Sequence, residues 1–134
     1  MVPRARPRAL VVILVYDGHQ VVEACLESAV CQEADGVDVD VLVLDDCSPA
    51  PGWSEELAAI CDRLGIAHHR NRRNVGIPRN MNLGLLAAER GGYDHAVLCN
   101  SDVVLGRRSI GHLVEVAESD PQICLLYTSD AADD

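Results

Sequence analysis

The 134-residue sequence contains no lysine and no phenylalanine, and its aromatic residues are three tyrosines and one tryptophan. All eleven basic residues are arginine. Without lysine, the Gly-Lys-Ser/Thr phosphate loop cannot be built. A phosphoacceptor receiver domain, which also opens a strand end with Asp-Asp, would lack the lysine it uses near the phosphoryl group. No Gly-x-Gly-x-x-Gly follows the first apolar run, so a dinucleotide fingerprint is missing as well. The longest apolar run, residues 9–16, falls far short of the roughly 20 residues needed to span a bilayer. Positive charge is scarce: the formal net charge is −10, which argues against nucleic-acid binding through a basic surface.

The six cysteines, at positions 25, 31, 47, 61, 99 and 124, form no Cys-x-x-Cys pair. Cys25 and Cys99 sit in apolar surroundings and read as small buried hydrophobes. The expected setting is therefore reduced and cytoplasmic. The basic start, residues 1–8, followed by an apolar run has the outline of a signal peptide. No small-residue cleavage site follows, however, and Asp17-Gly18 ends the run abruptly. A first buried strand explains it better.

About half of the residues are apolar, and the length suits one domain with a real core. Along the chain, strand and helix signals alternate. Strands are expected at 9–16, 39–44, 66–69 and 95–99, with a fifth at 122–127. The helix over 20–34 places Val22, Cys25, Leu26, Ala29 and Val30 on one face, with Gly36 ending it. A second helix is expected to be N-capped by Ser54, to bury Leu57, Ile60, Cys61 and Leu64, and to close at Gly65. Pro78 suits a first helical position for a third, closed by Gly91-Gly92, and 107–119 reads as a fourth. Trp53 reads as a packing residue at a helix start. Short connections between alternating elements imply right-handed βαβ units and a mainly parallel sheet.

Two of the strands, Val39-Asp40-Val41-Leu42-Val43-Leu44 and His95-Ala96-Val97-Leu98-Cys99, each run into a polar cluster: Asp45-Asp46-Cys47-Ser48 and Asn100-Ser101-Asp102. Near-continuous apolar strands suit a sheet covered on both faces, and such sheets bind ligands at the carboxyl ends of their strands. Polar residues gathered at the ends and not the middles therefore mark a site. Asp and Ser also favour plain solvated turns, but acidic groups at two separate strand ends tip the reading towards function. Arg70, Arg72 and Arg73 fit a solvated loop that could also steer an anion. His68-His69 has no accompanying ligand set at metal spacing.

In order and spacing, Val11-Val12-Ile13-Leu14-Val15-Tyr16-Asp17, Leu44-Asp45-Asp46-Cys47-Ser48, Asn74-Val75-Gly76-Ile77-Pro78-Arg79-Asn80 and Asn100-Ser101-Asp102 resemble the N-terminal half of a family 2 glycosyltransferase over roughly residues 9–119. That resemblance implies an α/β, Rossmann-like GT-A nucleotide-sugar-binding half with a mainly parallel sheet. It implies that Tyr16 and Asp17 border the nucleotide base and that Asp46, with Asp45 beside it, accepts a hydrogen bond from uracil or thymine. Arg79 would lie near the base and phosphates, Asn80 would hold its loop, and Asp102 would coordinate Mg2+ or Mn2+. Asn100 stands where the family more often has an aspartate, and it can still offer a carbonyl oxygen or bond the ribose.

The implied partners are a UDP- or dTDP-sugar donor and a glycan or lipid-linked acceptor, with no nucleic acid. The full-length enzyme is expected in the cytoplasm or at the inner face of the membrane. Two alternatives stay open from the residues: a nucleotidyltransferase-like enzyme, which would want a Gly-rich basic loop after the first strand, and a non-catalytic α/β nucleotide-binding module. The last eleven residues, 124–134, match the in-frame translation of a transposase-type sequencing adapter. The expected organisation is therefore a basic extension over 1–8, a nucleotide-binding half-domain over 9–123 and an artefactual tail. On that reading the catalytic base lies outside this chain, and the chain itself is expected not to transfer sugar.

Overall fold

A computed structural model describes residues 6–123. Its elements run β1 (Arg8–Val15), α1 (His19–Val30), β2 (Asp38–Asp45), α2 (Trp53–Leu64), β3 (Ala67–Arg70), α3 (Ile77–Arg90), β4 (His95–Asn100) and α4 (Ser109–Ser119). The four strands form one parallel sheet in the order β3-β2-β1-β4. Of the fifth expected strand, Gln122 lies in a turn, and residues 124–127, like the whole of the tail segment, lie outside the described residues.

β1 is the central strand, paired with β2 from Arg8↔Asp38 to Val15↔Asp45 and with β4 from Ala9↔His95 to Leu14↔Asn100. Alternate side chains of a strand point to opposite faces. Accordingly Ala9, Val11, Ile13 and Val15 enter a core with Val22, Cys25, Leu26, Leu57, Cys61, Ile110 and Val114, from α1, α2 and α4. Leu10 and Val12 enter a second, smaller cluster with Leu44 and with Ala88 of α3. Both faces of β1 are thus buried, which is why its sequence is apolar without alternation.

α3 reaches the sheet through small residues. It buries Asn80, Gly84 and Ala88, spaced four apart on one face, while Leu83, Leu85 and Leu86 are exposed. A Cβ on Gly84 would come within 2.7 Å of Val12 Cγ1. This helix lies so close to β1 that only glycine fits there.

Several expectations are corrected. α1 stops at Val30, which is exposed, and Cys31 is its C-cap, so Gly36 turns the chain later and does not end the helix. The reason is tertiary: the segment after Val30 bonds to the loop before α4, with Glu33 N donating to Arg107 O at 2.7 Å. Ser54 is not the N-cap of α2, which begins one residue earlier after Gly52. Its hydroxyl is taken by Asp45, as described below. Gly65 does close α2 in the left-handed region, with Gly65 N bonded to Asp62 O and Ile66 N to Cys61 O, the two bonds of a Schellman motif.

Trp53 is buried at the head of α2, its ring centroid 5.7 Å from that of His19. The cysteines behave as small apolar residues. Five are free among the described residues, Cys25, Cys61 and Cys99 are buried, and burial pushes the Cys61 thiol up to about 11.

The close approach at Gly84 generates a prediction against ordinary propensity. Alanine for glycine inside a helix gains about 1 kcal/mol in intrinsic terms. Here the added methyl meets a stiff β-branched side chain in the central strand, an overlap costing about 1–3 kcal/mol. Gly84→Ala is therefore expected to lower stability in urea unfolding by about 1 kcal/mol, and a gain would show that α3 can lift off β1 freely.

Candidate functional site

β1, β2 and β3 are laid down in one direction across the sheet, and the chain then crosses back to place β4 on the other side of β1. That reversal opens a crevice between the carboxyl ends of β1 and β4, the place where such sheets bind ligands. The registers bring the strand ends into line: Val15 pairs with Asp45, Asp45 with Arg70, and Leu14 with Asn100. Four of the expected site segments therefore meet along one edge.

The two adjacent aspartates are both buried and serve different loops. Asp45 Oδ1 accepts the backbone N–H and the hydroxyl of Ser48, at 2.9 and 2.6 Å, and its Oδ2 accepts the Ser54 hydroxyl at 2.6 Å. Arg70 Nε donates to Ser54 Oγ at 2.9 Å and lies 3.9 Å from Asp45 Oδ2. The Ser48 hydroxyl in turn accepts the N–H of Asp17 at 2.8 Å, and Asp17 Oδ1 accepts Ala50 N at 3.2 Å. Asp45 thus ties the turn after β1 to the turn after β2 and to the start of α2. Both turns contain a non-glycine residue in the left-handed region, Asp17 at φ 53° and Cys47 at φ 60°.

Asp46 organises the loop between β3 and α3. Its Oδ1 accepts Asn71 Nδ2 and Val75 N, both at 2.9 Å, and its Oδ2 accepts Gly76 N at 3.0 Å. Asn71 Nδ2 also donates to Asn80 Oδ1 at 3.0 Å, and Asn80 Nδ2 donates to Leu44 O at 3.3 Å. A carboxylate offers about four acceptor positions, so three donors leave Asp46 one position, on Oδ2, for a ligand.

The remaining expected residues stand at the rim. Tyr16, Arg79, Asn100 and Asp102 are exposed, and among the described residues the Asp102 carboxylate makes no hydrogen bond or ion pair. The structure therefore joins Asp17, Asp45, Asp46 and Asn80 in one bonded network and leaves Tyr16, Arg79, Asn100 and Asp102 with free surfaces around it. Below Asn100, the Cys25 and Cys99 thiols both donate to its carbonyl oxygen, at 3.6 and 3.3 Å. The hydrogen bond with Cys99, then burial, pushes the Cys25 thiol well above its ordinary range.

Sequence reasoning missed Asn71, Ser54 and Arg70 as members of the network. Asn71 carried a usable signal, being an amide residue directly after a strand; its burial at an otherwise exposed loop start emerges from the structure. Ser54 carried a misleading one, since its place suits a helix cap equally well.

Among the described residues, no group of three or more His, Cys, Asp or Glu could hold a cation. A Mg2+- or Mn2+-type ion bound to a diphosphate needs only one or two protein carboxylates, the phosphates and water supplying the rest. An exposed, unpaired Asp102 beside an exposed Asn100 amide fits that requirement, as a source of hard oxygen ligands on the open side of the crevice.

The Asp46 network predicts a specific defect. Asp46→Asn would turn an amide towards the donors now bonded to the carboxylate, and bonds to a charged acceptor contribute about 1.5–3 kcal/mol. Amide hydrogen exchange at Val75 and Gly76 is expected to speed up strongly while the β1 amides stay protected. Unchanged protection at Val75 and Gly76 would show that the loop is held by other means.

Comparison with known proteins follows the same lines. No characterised protein matches the chain significantly by sequence alone. Among solved structures, the mannosyltransferase PcManGT from Pyrobaculum calidifontis, in complex with GDP-Man and Mn2+, is similar with a TM-score of 0.71 at 19% identity, over 88% of this chain and 34% of that one. Residues 1–349 of TarS from S. aureus, in complex with UDP, are similar with a TM-score of 0.67 at 18% identity, over 84% of this chain and 32% of that one. The chain thus spans about a third of the length of these structures, and the likeness establishes the Rossmann-like GT-A fold. The family model described as glycosyl transferase family 2 matches residues 10–134, nearly the whole sequence, and the chain belongs to that family.

Proposed function

We propose that this chain is the donor-binding part of a metal-dependent, inverting glycosyltransferase that takes a nucleoside-diphosphate sugar, with UDP- and dTDP-sugars as the expected class. The observation that carries this reading is that a bonded Asp17–Asp45–Asp46 network and an unpaired Asp102 carboxylate both lie at the carboxyl edge of one parallel sheet. The GDP-Man and Mn2+ in the mannosyltransferase structure and the UDP in the TarS structure support it by analogy of fold.

In this mechanism the exposed Tyr16 ring and Asp17 border the base, and the remaining acceptor position of Asp46 receives the base N–H. Arg79, exposed in the first turn of α3, would meet the base and phosphates, and Asn80 would hold that loop. Asp102 and Asn100 would hold the cation, which neutralises the diphosphate as the sugar departs. An acceptor hydroxyl then attacks the anomeric carbon in line with the leaving diphosphate and inverts that centre. The base that removes its proton is not among the residues assigned here, so the reading for these 134 residues is donor binding without turnover. A glycan or lipid-linked acceptor would put the full-length enzyme in the cytoplasm or at the inner face of the membrane. Among the described residues, no helix is long and apolar enough to cross a membrane.

Calorimetric titration of UDP with and without Mn2+ tests the proposal, with dTDP and GDP as competitors. Mn2+ is expected to strengthen UDP binding, and Asp102→Ala, which leaves no oxygen ligand on that side chain, is expected to abolish that gain, a loss of about tenfold or more, while leaving the metal-free affinity unchanged. Metal-independent binding of equal strength in both proteins would favour a non-catalytic nucleotide-binding module instead.

A further inference from the structure

We infer that Ser28 of α1 and Gln32, just past its C-terminal end, are positioning residues for the Asp102 carboxylate, strapping the segment between β4 and α4 to the side of α1. This rests on the reading above that Asp102 is the cation ligand.

The segment 101–108 carries Asp102 and contains no helix or strand, and Asp102, Val103, Val104, Gly106, Arg107 and Arg108 are all exposed. Left to itself, such a stretch would place Asp102 loosely, because few of its backbone groups have partners within it. α1 supplies those partners from one face. Ser28 Oγ accepts Leu105 N at 2.9 Å. Gln32 Nε2 donates to Gly106 O at 2.7 Å, and Gln32 Oε1 accepts Ile110 N at 3.0 Å. Just beyond the helix, Glu33 N donates to Arg107 O at 2.7 Å. One turn earlier, Cys25 Sγ donates to Asn100 O at 3.6 Å. Residues three apart share a helix face, so Cys25 and Ser28, with Gln32 just past the helix end, follow the chain from Asn100 to the start of α4.

The chemistry of the two side chains matches what the segment lacks. α4 has no side-chain cap of its own, and Gln32 Oε1 serves its Ile110 N–H from another element. Gly106 presents a carbonyl and Ile110 an N–H, so the strap needs a donor and an acceptor on one side chain. A glutamine amide provides both, and a glutamate cannot. The straps are themselves braced: Ser28 Oγ donates to Cys25 O at 2.7 Å and Gln32 Nε2 to Ser28 O at 3.1 Å. A purely structural strap would stabilise the fold. A positioning strap also sets cation affinity, because groups that orient a ligand typically govern it by 10–100-fold (an order-of-magnitude range).

The test uses the full 134-residue chain, with hydrogen exchange of the metal-free protein beside Mn2+ titration of its UDP complex. Gln32→Ala and Ser28→Ala are expected to speed exchange at Leu105 and Ile110. They are also expected to weaken Mn2+ binding by about tenfold, with UDP affinity in EDTA unchanged. Ser28→Thr, which keeps the hydroxyl, is expected to rescue both readouts. Should Gln32→Ala fail to fold, Ser28→Ala removes a single accepted bond and carries the same two measurements. Unchanged exchange at Leu105 and Ile110 would overturn the strap. Faster exchange with wild-type Mn2+ affinity would overturn the positioning of Asp102. Wild-type Mn2+ binding by Asp102→Ala would instead remove the reading on which the inference rests, and the inference with it, whereas loss of the strap alone leaves the role of Asp102 standing.

Discussion

The whole carboxyl edge of the sheet depends on burying two neighbouring carboxylates at the end of one strand. Successive residues leave a strand towards opposite faces, so Asp45 and Asp46 separate instead of crowding each other. Asp45 is bonded on the side of α2 through Ser54, and Asp46 on the side of α3 through Asn71, Val75 and Gly76. A buried carboxylate is costly unless its oxygens are filled by donors. The donors come from Ser48 after β2, from Ser54 at the start of α2 and from Asn71, Val75 and Gly76 after β3, and Ser48 also accepts the N–H of Asp17, so satisfying the two acids fixes the loops after β1, β2 and β3 together.

This arrangement divides the site into a rigid part and an open part. Asp17, Asp45, Asp46, Ser48, Asn71 and Asn80 are bonded among themselves and define a wall. Tyr16, Arg79, Asn100 and Asp102 keep exposed surfaces, and these are the groups with free chemistry. Conformational ordering of the wall is thus completed during folding, so little of its entropy cost would fall on ligand binding.

Much of this was legible in the sequence, for physical reasons that differ by element. β1 was plain because a strand covered on both faces must be apolar throughout. The faces of α1 and α2 were plain because one-sided burial imposes a 3.6-residue period. The ends were less so. α1 was drawn four residues too long because what stops it is a backbone bond from Glu33 to Arg107, a partner far away in sequence. Ser54 illustrates two uses of one hydroxyl: before an acidic first turn it suits a cap that accepts a backbone N–H, yet here it accepts Arg70 Nε and donates to Asp45. α3 was recognisable as a helix, but its contact through Asn80, Gly84 and Ala88 could not be seen, because exposed leucines and buried small residues invert the usual amphipathic pattern.

α1 has a role that follows from where it begins and ends. It starts directly after Gly18, whose neighbour Asp17 is bonded to the turn after β2, and Ser28 in its last turn and Gln32 just past its end hold the segment that carries Asp102. Twelve residues of helix measure about 18 Å. The helix therefore acts as a gauge bar, its fixed length setting the separation between the end that meets the base and the end that meets the cation. Inserting or deleting one residue in it would turn the strapped face by about 100° and detune that span, whereas the same change in the loop over 34–37, beyond Gln32 and Glu33, would leave the gauge intact.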